Sequence, residues 1–499
     1  MDLYVLLLSI FLFGFFFRLL LRRSPAKTLP PGPAGLPIIG SLHLLGERPN
    51  QSLAKLAKVH GPLFTLRLGS ITTVVASSAE VAKEILQKHD QTFSNRPMPD
   101  TVSSQPNPES TLAWSPGDHR WRNRRRVCNT QMFNGQKLDQ LQHLRHKKAQ
   151  ELVHLIKKRA LSGNVVEIGR VAFATTLNLI SNTVFSKDMV DPESESTHEF
   201  KNLVWILMEG AGKPNFSDFF PALRRFDLQG LRRHVKPAYS RLHEIFDEII
   251  DLRLKAKASD VANSTRTGDF LDVLLDQCEQ DGSDFNRQTI RPLILELFIA
   301  GTDTSAITTE WAMAELLHNP EILKKARKEI IETIPSHQLV QESDIDRLPY
   351  LQAIVNETLR LHPAGPLLLP YIATDDVELL GFVVPKNTQL LVNAWAIGRD
   401  PKHWDQPLLF LPERFLNSGL DYKGRNFEYI PFGAGRRICP GMPLAVRMVH
   451  LMLASVLQAF DWKLPEGTTP ENMDMEEQFG ITLKKAVPLR AIPVLESLV

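Results

Sequence analysis

Apolar and polar residues alternate along a few short stretches of the chain and recur with helical spacing along most of the rest. Residues 62–76, PLFTLRLGSITTVVA, alternate on both sides of a Gly-Ser break, and this pattern predicts a β-hairpin. A second hairpin is predicted within 374–393, and a last strand within 479–492. From Ser78 onward helical spacing dominates, as in residues 142–158. The pattern predicts a mainly α fold with a minor β region.

The N-terminus begins with an apolar run that is followed by positive charge. Residues 3–21 are apolar except for Arg18, and two further arginines follow them. About 20 apolar residues span a bilayer, and the Arg18 side chain can extend to the headgroups. A cleaved signal peptide carries its positive charge before the apolar run. Residues 1–23 are therefore predicted to be a single-pass anchor with the rest of the chain in the cytosol, and 24–40 a basic, proline-rich linker.

Composition narrows the class of protein and its compartment. Apolar residues make up 43% and charged residues 23% of the 499 residues, which is ordinary globular composition. The net charge of +2 argues against nucleic acid as a partner, because duplex binders need a strongly basic surface. The three cysteines, Cys128, Cys278 and Cys439, cannot build a disulfide framework and are typical of a reducing compartment.

One cysteine lies in a glycine-rich loop, residues 431–441, PFGAGRRICPG. Glycines let the backbone curl tightly, so that amide N–H groups can point at the Cys439 sulfur and stabilise a thiolate. Arg437 can meet an acidic group of a cofactor, and the apolar helix after Gly441 directs its positive end towards the sulfur. The alternative is a structural turn around a buried free cysteine. We favour metal ligation because an aromatic residue, spaced glycines and an arginine accompany the cysteine.

This loop resembles the haem-binding loop of the cytochrome P450 family, F-x-x-G-x-R-x-C-x-G. Its positions are matched by Phe432, Gly435, Arg437, Cys439 and Gly441. The resemblance covers residues 30–495 and implies the cytochrome P450 fold, with haem b as cofactor and Cys439 as the axial ligand of its iron. A thiolate ligand favours cleavage of the O–O bond. Residues 41–499 are then expected to form one monooxygenase domain, facing the cytosol from the endoplasmic reticulum membrane.

Three other motifs agree with the family pattern in order and spacing. Glu357 and Arg360 lie three residues apart on one helical face, and such a pair alone is most often a surface ion pair. The resemblance joins them to Arg414 as a buried structural cluster. Residues 300–305, AGTDTS, interrupt a long apolar helix that is predicted to begin near Pro292.

Gly301 within residues 300–305 predicts a bulge or kink that can open a niche for a small ligand; the alternative is a helix kink with no chemistry. The resemblance implies that Thr304 assists oxygen activation and that Asp303 helps to relay protons.

The most basic run, residues 119–126, contains the spacing W-R-x-x-R. A solvated face or a patch for an acidic membrane is the default interpretation of such a run. The resemblance makes Trp121 and Arg125 candidates for contact with a haem propionate, and the surplus arginines a docking face for an acidic electron donor. Near relatives carry an arginine where this chain has Tyr371, so one ion pair to the haem is expected to be missing.

Three segments look like the plant microsomal branch, within it hydroxylases of geraniol-type monoterpenols and related terpenoids: residues 393–401 (NAWAIGRDP), residues 432–445 (FGAGRRICPGMPLA) and Phe479-Gly480-Ile481-Thr482. This implies hydroxylation of a small apolar substrate, a monoterpenol or diterpenoid, with O2 and electrons from NADPH through NADPH-cytochrome P450 reductase. Cytochrome b5 is left open as an additional donor. By the same resemblance the substrate pocket is expected to be lined by Trp205, Phe216, Ala300, Leu367, Leu368, Phe479 and Ile481.

Three alternatives stay open at this stage. A monooxygenase of this kind can oxidise an aromatic, phenolic or alkaloid-type metabolite instead of a terpenoid. A haem-thiolate isomerase or dehydratase rearranges a peroxide without a reductase, and Thr304 with Asp303 counts against it because no proton relay is then needed. A haem sensor or membrane scaffold would not require the relay and the basic run together.

Overall fold

The computed structural model describes residues 29–191, 195–258, 268–335 and 338–495. Most of this part of the chain is helical. Its α-helices are α1 (Pro49–His60), α2 (Ala79–Lys83), α3 (His119–Cys128), α4 (Gly135–Gln140), α5 (Gln142–Leu161), α6 (Ile168–Phe185), α7 (Glu195–Gly212), α8 (Phe216–Phe219), α9 (Leu231–Ala258), α10 (Phe270–Cys278), α11 (Arg287–His318), α12 (Pro320–Thr333), α13 (Pro349–Leu361), α14 (Ala394–Ile397) and α15 (Met442–Ala459).

Short strands form the minor β region. They are β1 (Leu63–Leu68), β2 (Ile71–Ala76), β3 (Val166–Glu167), β4 (Tyr371–Ile372), β5 (Val377–Leu379), β6 (Phe382–Val384), β7 (Gln389–Val392), β8 (Asp461–Lys463), β9 (Glu477–Gln478), β10 (Lys484–Lys485) and β11 (Arg490–Val494). The largest sheet has the order β1-β2-β7-β4, and in it β2 and β7 run parallel. The others are the three-stranded sheet β3-β11-β8 and the hairpins β5-β6 and β9-β10.

Helix α11 is the central element, and most of its residues between Ile290 and Leu317 are buried. The side chain of Asn286 accepts hydrogen bonds from the first-turn amides, and the Thr289 hydroxyl accepts one from the Asn286 amide. This capping box starts the helix at Arg287, so the start predicted near Pro292 was about one turn too late. Trp311 and Phe298 are fully buried where α11 packs on α6, α9 and α15.

The predicted fold class is confirmed for the described residues, which are mainly helical with a minor sheet region. Both predicted hairpins are present: β1 and β2 turn at Gly69-Ser70, and β5 and β6 turn at Leu380-Gly381, where both residues have positive φ. The predicted anchor, residues 1–23, lies outside the described residues. Among the helices described, α15 alone has the length and apolar composition to cross a membrane, and more than half of it is buried in the core.

Candidate active site

The cysteine loop folds back on itself just before α15. The Cys439 amide donates to the Phe432 carbonyl over 3.0 Å, which closes the loop and leaves the partly buried thiol at the wall of a cavity of about 370 Å³. Burial raises the pKa of the Cys439 thiol, whereas the amides of Gly441 and Met442 and the Arg125 guanidinium act to lower that pKa. Two backbone N–H groups and the positive charge of Arg125 therefore act on the Cys439 sulfur together.

Gly435 fixes the position of this loop against the preceding part of the chain. Its φ is +65°, and a Cβ at this residue would lie 2.0 Å from the carbonyl oxygen of Leu86. Gly435 therefore supports the loop from behind and does not line the cavity, whereas Phe432 and Gly441 do line it. Phe432 packs edge-on against Tyr422, with ring centroids 5.9 Å apart.

Three arginines, Arg96, Arg125 and Arg437, line the same cavity. In the described part of the chain none of them forms an ion pair, and each donates hydrogen bonds to backbone carbonyls instead. Burial lowers the pKa of Arg437 to about 9 and also lowers the pKa of Arg96 and of Arg125. Buried cations normally have a carboxylate partner, so this cluster fits a ligand that brings negative charge. A thiol and three unpaired guanidinium groups at one cavity fit haem, with its iron and two propionates.

Two aromatic rings hold these guanidinium groups in place. The Arg437 guanidinium lies over the Trp121 ring, 4.1 Å from its centroid, and the Trp121 indole N–H donates to the Leu112 carbonyl over 3.0 Å. Trp121 was expected to contact a propionate, but its ring is covered by Arg437 and does not line the cavity. Arg96 lies in the same way over Tyr371, at 4.0 Å. Tyr371 thus stands where an arginine was expected, and its ring supports the guanidinium group of Arg96, which comes from another segment of the chain.

Sequence reasoning missed Arg96, although a signal was present. Tyr371 breaks the family pattern, and an aromatic residue in place of a cation predicts that a cation from another segment lies on its face. Arg96 reaches the site because the bridge between Asn95 and Ile372 brings its segment alongside β4. The side chain of Arg96 donates to the carbonyls of Leu369 and Pro370, and its Nε has no partner in the described structure.

Helix α11 passes the cavity on the side of Ala300, Gly301 and Thr304. The Thr304 hydroxyl donates to the Ala300 carbonyl over 2.7 Å, so its oxygen stays free to accept a hydrogen bond from the cavity. The bulge predicted at Gly301 is absent, because the helix is continuous from Arg287 to His318, whereas the kink, the other form of that prediction, stays a prediction. Gly301 instead permits close packing of α6: a Cβ there would lie 2.9 Å from the Ile180 side chain.

Asp303 points away from the cavity, although it adjoins Thr304 in sequence. It is 9% exposed, and its carboxylate accepts a hydrogen bond of 3.0 Å from the Thr482 hydroxyl. Burial raises the pKa of Asp303, and the hydrogen bond from Thr482 and the charges of Lys484 and Lys201 partly offset this rise in pKa. Thr482 lines the cavity whereas Asp303 does not. The carboxylate is therefore connected to the cavity through a side chain that sequence reasoning did not single out.

The cavity wall differs in part from the expected substrate pocket. Ala300, Leu368 and Ile481 line it as expected, together with further apolar residues. These additional lining residues include Val102, Leu112, Leu179, Leu207, Met208 and Leu295.

Four expected pocket residues, Trp205, Phe216, Leu367 and Phe479, do not line the cavity. The Trp205 ring faces the Lys484 ammonium, 3.0 Å from its centroid, and Phe216 is 47% exposed on α8. Leu367 packs into a separate cluster under the largest sheet, whereas Leu368, whose φ is +50°, turns inward. Phe479 precedes the tight turn at Gly480, which directs the next residues into the cavity.

Glu296 is the second functional candidate that sequence reasoning missed. It lines the cavity one turn before Ala300, and its carboxylate accepts hydrogen bonds from the amides of Leu112 and Ala113. Burial raises the pKa of Glu296 to about 7. The residue fixes the loop 111–113 to α11 and adds a polar group to an otherwise apolar wall. The spacing of four residues from Ala300 on one helix was the signal that could have placed it there.

The predicted cluster of Glu357, Arg360 and Arg414 does not line the cavity. Glu357 and Arg360 are fully buried and form two parallel hydrogen bonds of 2.7 Å each. Arg414 Nε donates to the same carboxylate over 3.0 Å. The structure brings all three together, in a position that links α13 to the segment 398–411.

Comparison with known proteins gives the same picture. The family model that matches residues 30–489 is Cytochrome P450. Geraniol 8-hydroxylases from Swertia mussotii and Catharanthus roseus are each 50% identical to this chain, over 96% of it and over 97% and 96% of their own lengths. A zebra fish cytochrome P450 solved with progesterone superposes with a TM-score of 0.77 at 27% identity, covering 89% of this chain and 99% of its own.

Proposed function

This chain belongs to the cytochrome P450 family and is a cytochrome P450 monooxygenase, and from that premise we propose that it hydroxylates a small terpenoid, a monoterpenol or diterpenoid. The observation that carries the proposal is the cavity, which joins Cys439 and Thr304 and is walled mainly by aliphatic side chains. Burial of about 0.8 kcal/mol per CH2 gives about 8 kcal/mol for ten carbons, the scale of micromolar affinity before the entropy of association is subtracted. The geraniol 8-hydroxylases among its relatives support a substrate of this class.

We assign separate roles in haem b binding and in the reaction to residues of this chain. Cys439 would ligate the iron, and Arg96, Arg125 and Arg437 would hold the propionates. When bound, the haem supplies the activation of O2. Thr304 holds a hydroxyl oxygen at the cavity wall and can pass a proton, and its aliphatic neighbours exclude water from the substrate.

Electrons are proposed to come from NADPH through NADPH-cytochrome P450 reductase, with cytochrome b5 as an additional donor. The supporting feature is helix α3, which has exposed arginines on one side and Arg125 next to the cysteine loop on the other. Arg120, Arg122 and Arg126 are exposed on its outer side, whereas Arg125 reaches inward to the Ile438 carbonyl beside Cys439. A basic surface directly behind the ligand loop favours encounter with an acidic donor.

The membrane assignment rests on the sequence. Residues 1–23 are proposed to anchor the chain in the endoplasmic reticulum membrane and 24–40 to form the linker. Residues 41–499 are proposed to form a single catalytic domain on the cytosolic side.

The test is turnover in membranes that contain the full chain with its reductase and NADPH. A panel of terpenols, diterpenes, phenolics and amino acids is titrated against the ferric enzyme, and products are measured. We expect a low-to-high spin shift and product with a terpenol. Cys439→Ala should lose both the thiolate-type Soret band of the reduced carbon monoxide complex and turnover.

Three outcomes would contradict the proposal. A spin shift only with a zwitterion such as tyrosine, or only with a phenol, would refute the terpenoid substrate. Product formation without reductase would indicate a haem-thiolate isomerase or dehydratase. An unchanged Soret band in Cys439→Ala would overturn the ligand assignment.

A further inference from the structure

Asp303 is separated from the cavity by a single side chain. Thr304 lines the cavity and Asp303 does not, because consecutive residues on a helix point about 100° apart. The Asp303 carboxylate instead meets the hydroxyl of Thr482, in the turn between β9 and β10. Thr482 is itself on the cavity wall. A proton on Asp303 therefore has a route to the cavity through the Thr482 hydroxyl.

The turn that carries Thr482 is held from both sides. The indole N–H of Trp311, two turns further along α11 than Asp303, donates to the Leu483 carbonyl over 3.1 Å. The Leu483 amide donates to the Ala364 carbonyl over 3.0 Å. On the other side Gly212 lies so close that a Cβ there would be 2.3 Å from the Ile481 amide. Thr482 and Asp303 are thus fixed to the same helix, and their distance does not depend on a mobile loop.

Lys484 is a titratable cation whose charge acts on Asp303. Burial lowers the pKa of Lys484 to about 8, and Asp303, Glu209 and Glu310 act to raise that pKa. The ammonium lies on the Trp205 ring, and the residue is partly exposed. Lys201 is the other charged group that acts on both Asp303 and Lys484. Titratable groups that act on one another by charge therefore extend from the partly exposed Lys484 to Asp303, whose carboxylate meets Thr482.

We propose that Thr482 is the positioning residue that relays protons between Asp303 and the cavity, an inference that rests on the proposed monooxygenase function. In the structure the Thr482 hydroxyl donates to the Asp303 carboxylate. When Asp303 is protonated, its O–H donates to Thr482 Oγ1 and the threonine hydrogen turns to the cavity. One proton then passes from Asp303 to Oγ1 while the hydroxyl proton passes to an acceptor in the cavity. Asp303, now a carboxylate, regains a proton from Lys484 through water, and Lys484 regains one from solvent.

The test compares Thr482→Val, which keeps the shape and removes the hydroxyl, with Thr482→Ser, which keeps the hydroxyl. In the reconstituted enzyme we expect Thr482→Val to raise NADPH consumed per product several-fold, with hydrogen peroxide as the excess. We also expect it to increase the solvent deuterium isotope effect. Thr482→Ser should restore both quantities. Thr482→Ala provides a second apolar variant if the valine protein folds poorly, and circular dichroism checks each fold.

A second readout does not depend on turnover. The hydrogen bond from Thr482 lowers the pKa of Asp303, so its loss in Thr482→Val should raise that pKa further. The carboxyl infrared band of the full-length protein, with that of Asp303→Asn subtracted, gives the midpoint of the Asp303 titration. The expected order of midpoints is Thr482→Val above wild type, with Thr482→Ser close to wild type.

Failure of this inference is distinguishable from failure of the proposed function. Thr304→Ala serves as the reference, because it should uncouple any monooxygenase that uses this cavity. If Thr304→Ala uncouples while the valine and serine variants at position 482 behave alike, the relay through Thr482 is overturned and the function stands. If Thr304→Ala also keeps full coupling, Thr304 is removed from the mechanism; failure of the proposed function shows instead as no NADPH-dependent product from the wild-type enzyme with its reductase.

Discussion

Glu357→Gln should destabilise this protein more than any exposed charge substitution on the same fold. The carboxylate has no exposed surface and accepts four hydrogen bonds: two from Arg360, one from the Leu411 amide over 2.8 Å and one from Arg414. Glutamine keeps the shape but brings an NH2 group against two guanidinium groups. It also removes the negative charge that balances Arg360, which is 1% exposed.

The expected magnitude follows from the burial of the whole cluster. Removal of one partner of a buried ion pair leaves an uncompensated charge and costs about 3–5 kcal/mol. Arg360 cannot move to water to avoid this, because it also donates to the carbonyls of Gly398, Pro407 and Leu409. A loss of about 3–5 kcal/mol is a large part of the roughly 5–15 kcal/mol by which native domains are stable.

Unfolding of the full-length protein in urea, followed by tryptophan fluorescence, measures the effect. If the lost free energy appears wholly in the unfolding rate, that rate should rise by about 10²- to 10⁴-fold. Glu332→Gln is the matched control, because Glu332 makes an exposed ion pair with Lys328 at 3.8 Å, worth about 0.5 kcal/mol or less. Equal unfolding rates for the two variants, or a loss below about 1 kcal/mol in Glu357→Gln, would refute the argument.

Two other predictions concern the cysteine loop and the cavity wall. Gly435→Ala should lower the free energy of unfolding by more than Gly419→Ala, since both glycines have positive φ but only the first meets a backbone oxygen, that of Leu86; chemical denaturation of the two variants checks this. Glu296 has a pKa of about 7, above its ordinary value of 4.5, so its ionisation opposes folding and its contribution to stability falls as the pH rises from about 5 to 8. Glu296→Gln should remove that fall, by at most about 1.4 kcal/mol per pH unit, in unfolding measured across this range.

The local features of the fold were predictable because neighbouring residues determine them. The Gly-Ser break in residues 62–76 favours a hairpin whatever the position of that hairpin in the fold. The glycines around Cys439 favour a tight loop for the same local reason. Glu357 and Arg360 share a helical face by spacing alone. The spacing did not predict that these two residues are buried; that expectation came from the resemblance to the family.

What sequence reasoning missed depends on how distant segments meet. Arg96 reaches the site because its segment lies beside β4, almost 280 residues later. Asp303 and Thr304 are adjacent in the motif, and only the rotation of α11 against its neighbours decides which one faces the cavity. The orientation of Trp205 depends in the same way on where Lys484 arrives from the C-terminal end of the chain. None of these arrangements leaves a periodic signal in one segment.

The parallel pairing of β2 with β7 has a consequence for the protein while it is being synthesised. The partner of β2 begins about 310 residues after β2 ends. At about 5–20 residues per second, the ribosome needs roughly 15–60 s to produce it. For that time the edge of β2 that β7 will cover has no strand to bind. Such an edge can pair with another chain, so nascent copies of this protein need protection from aggregation until residue 392 has emerged.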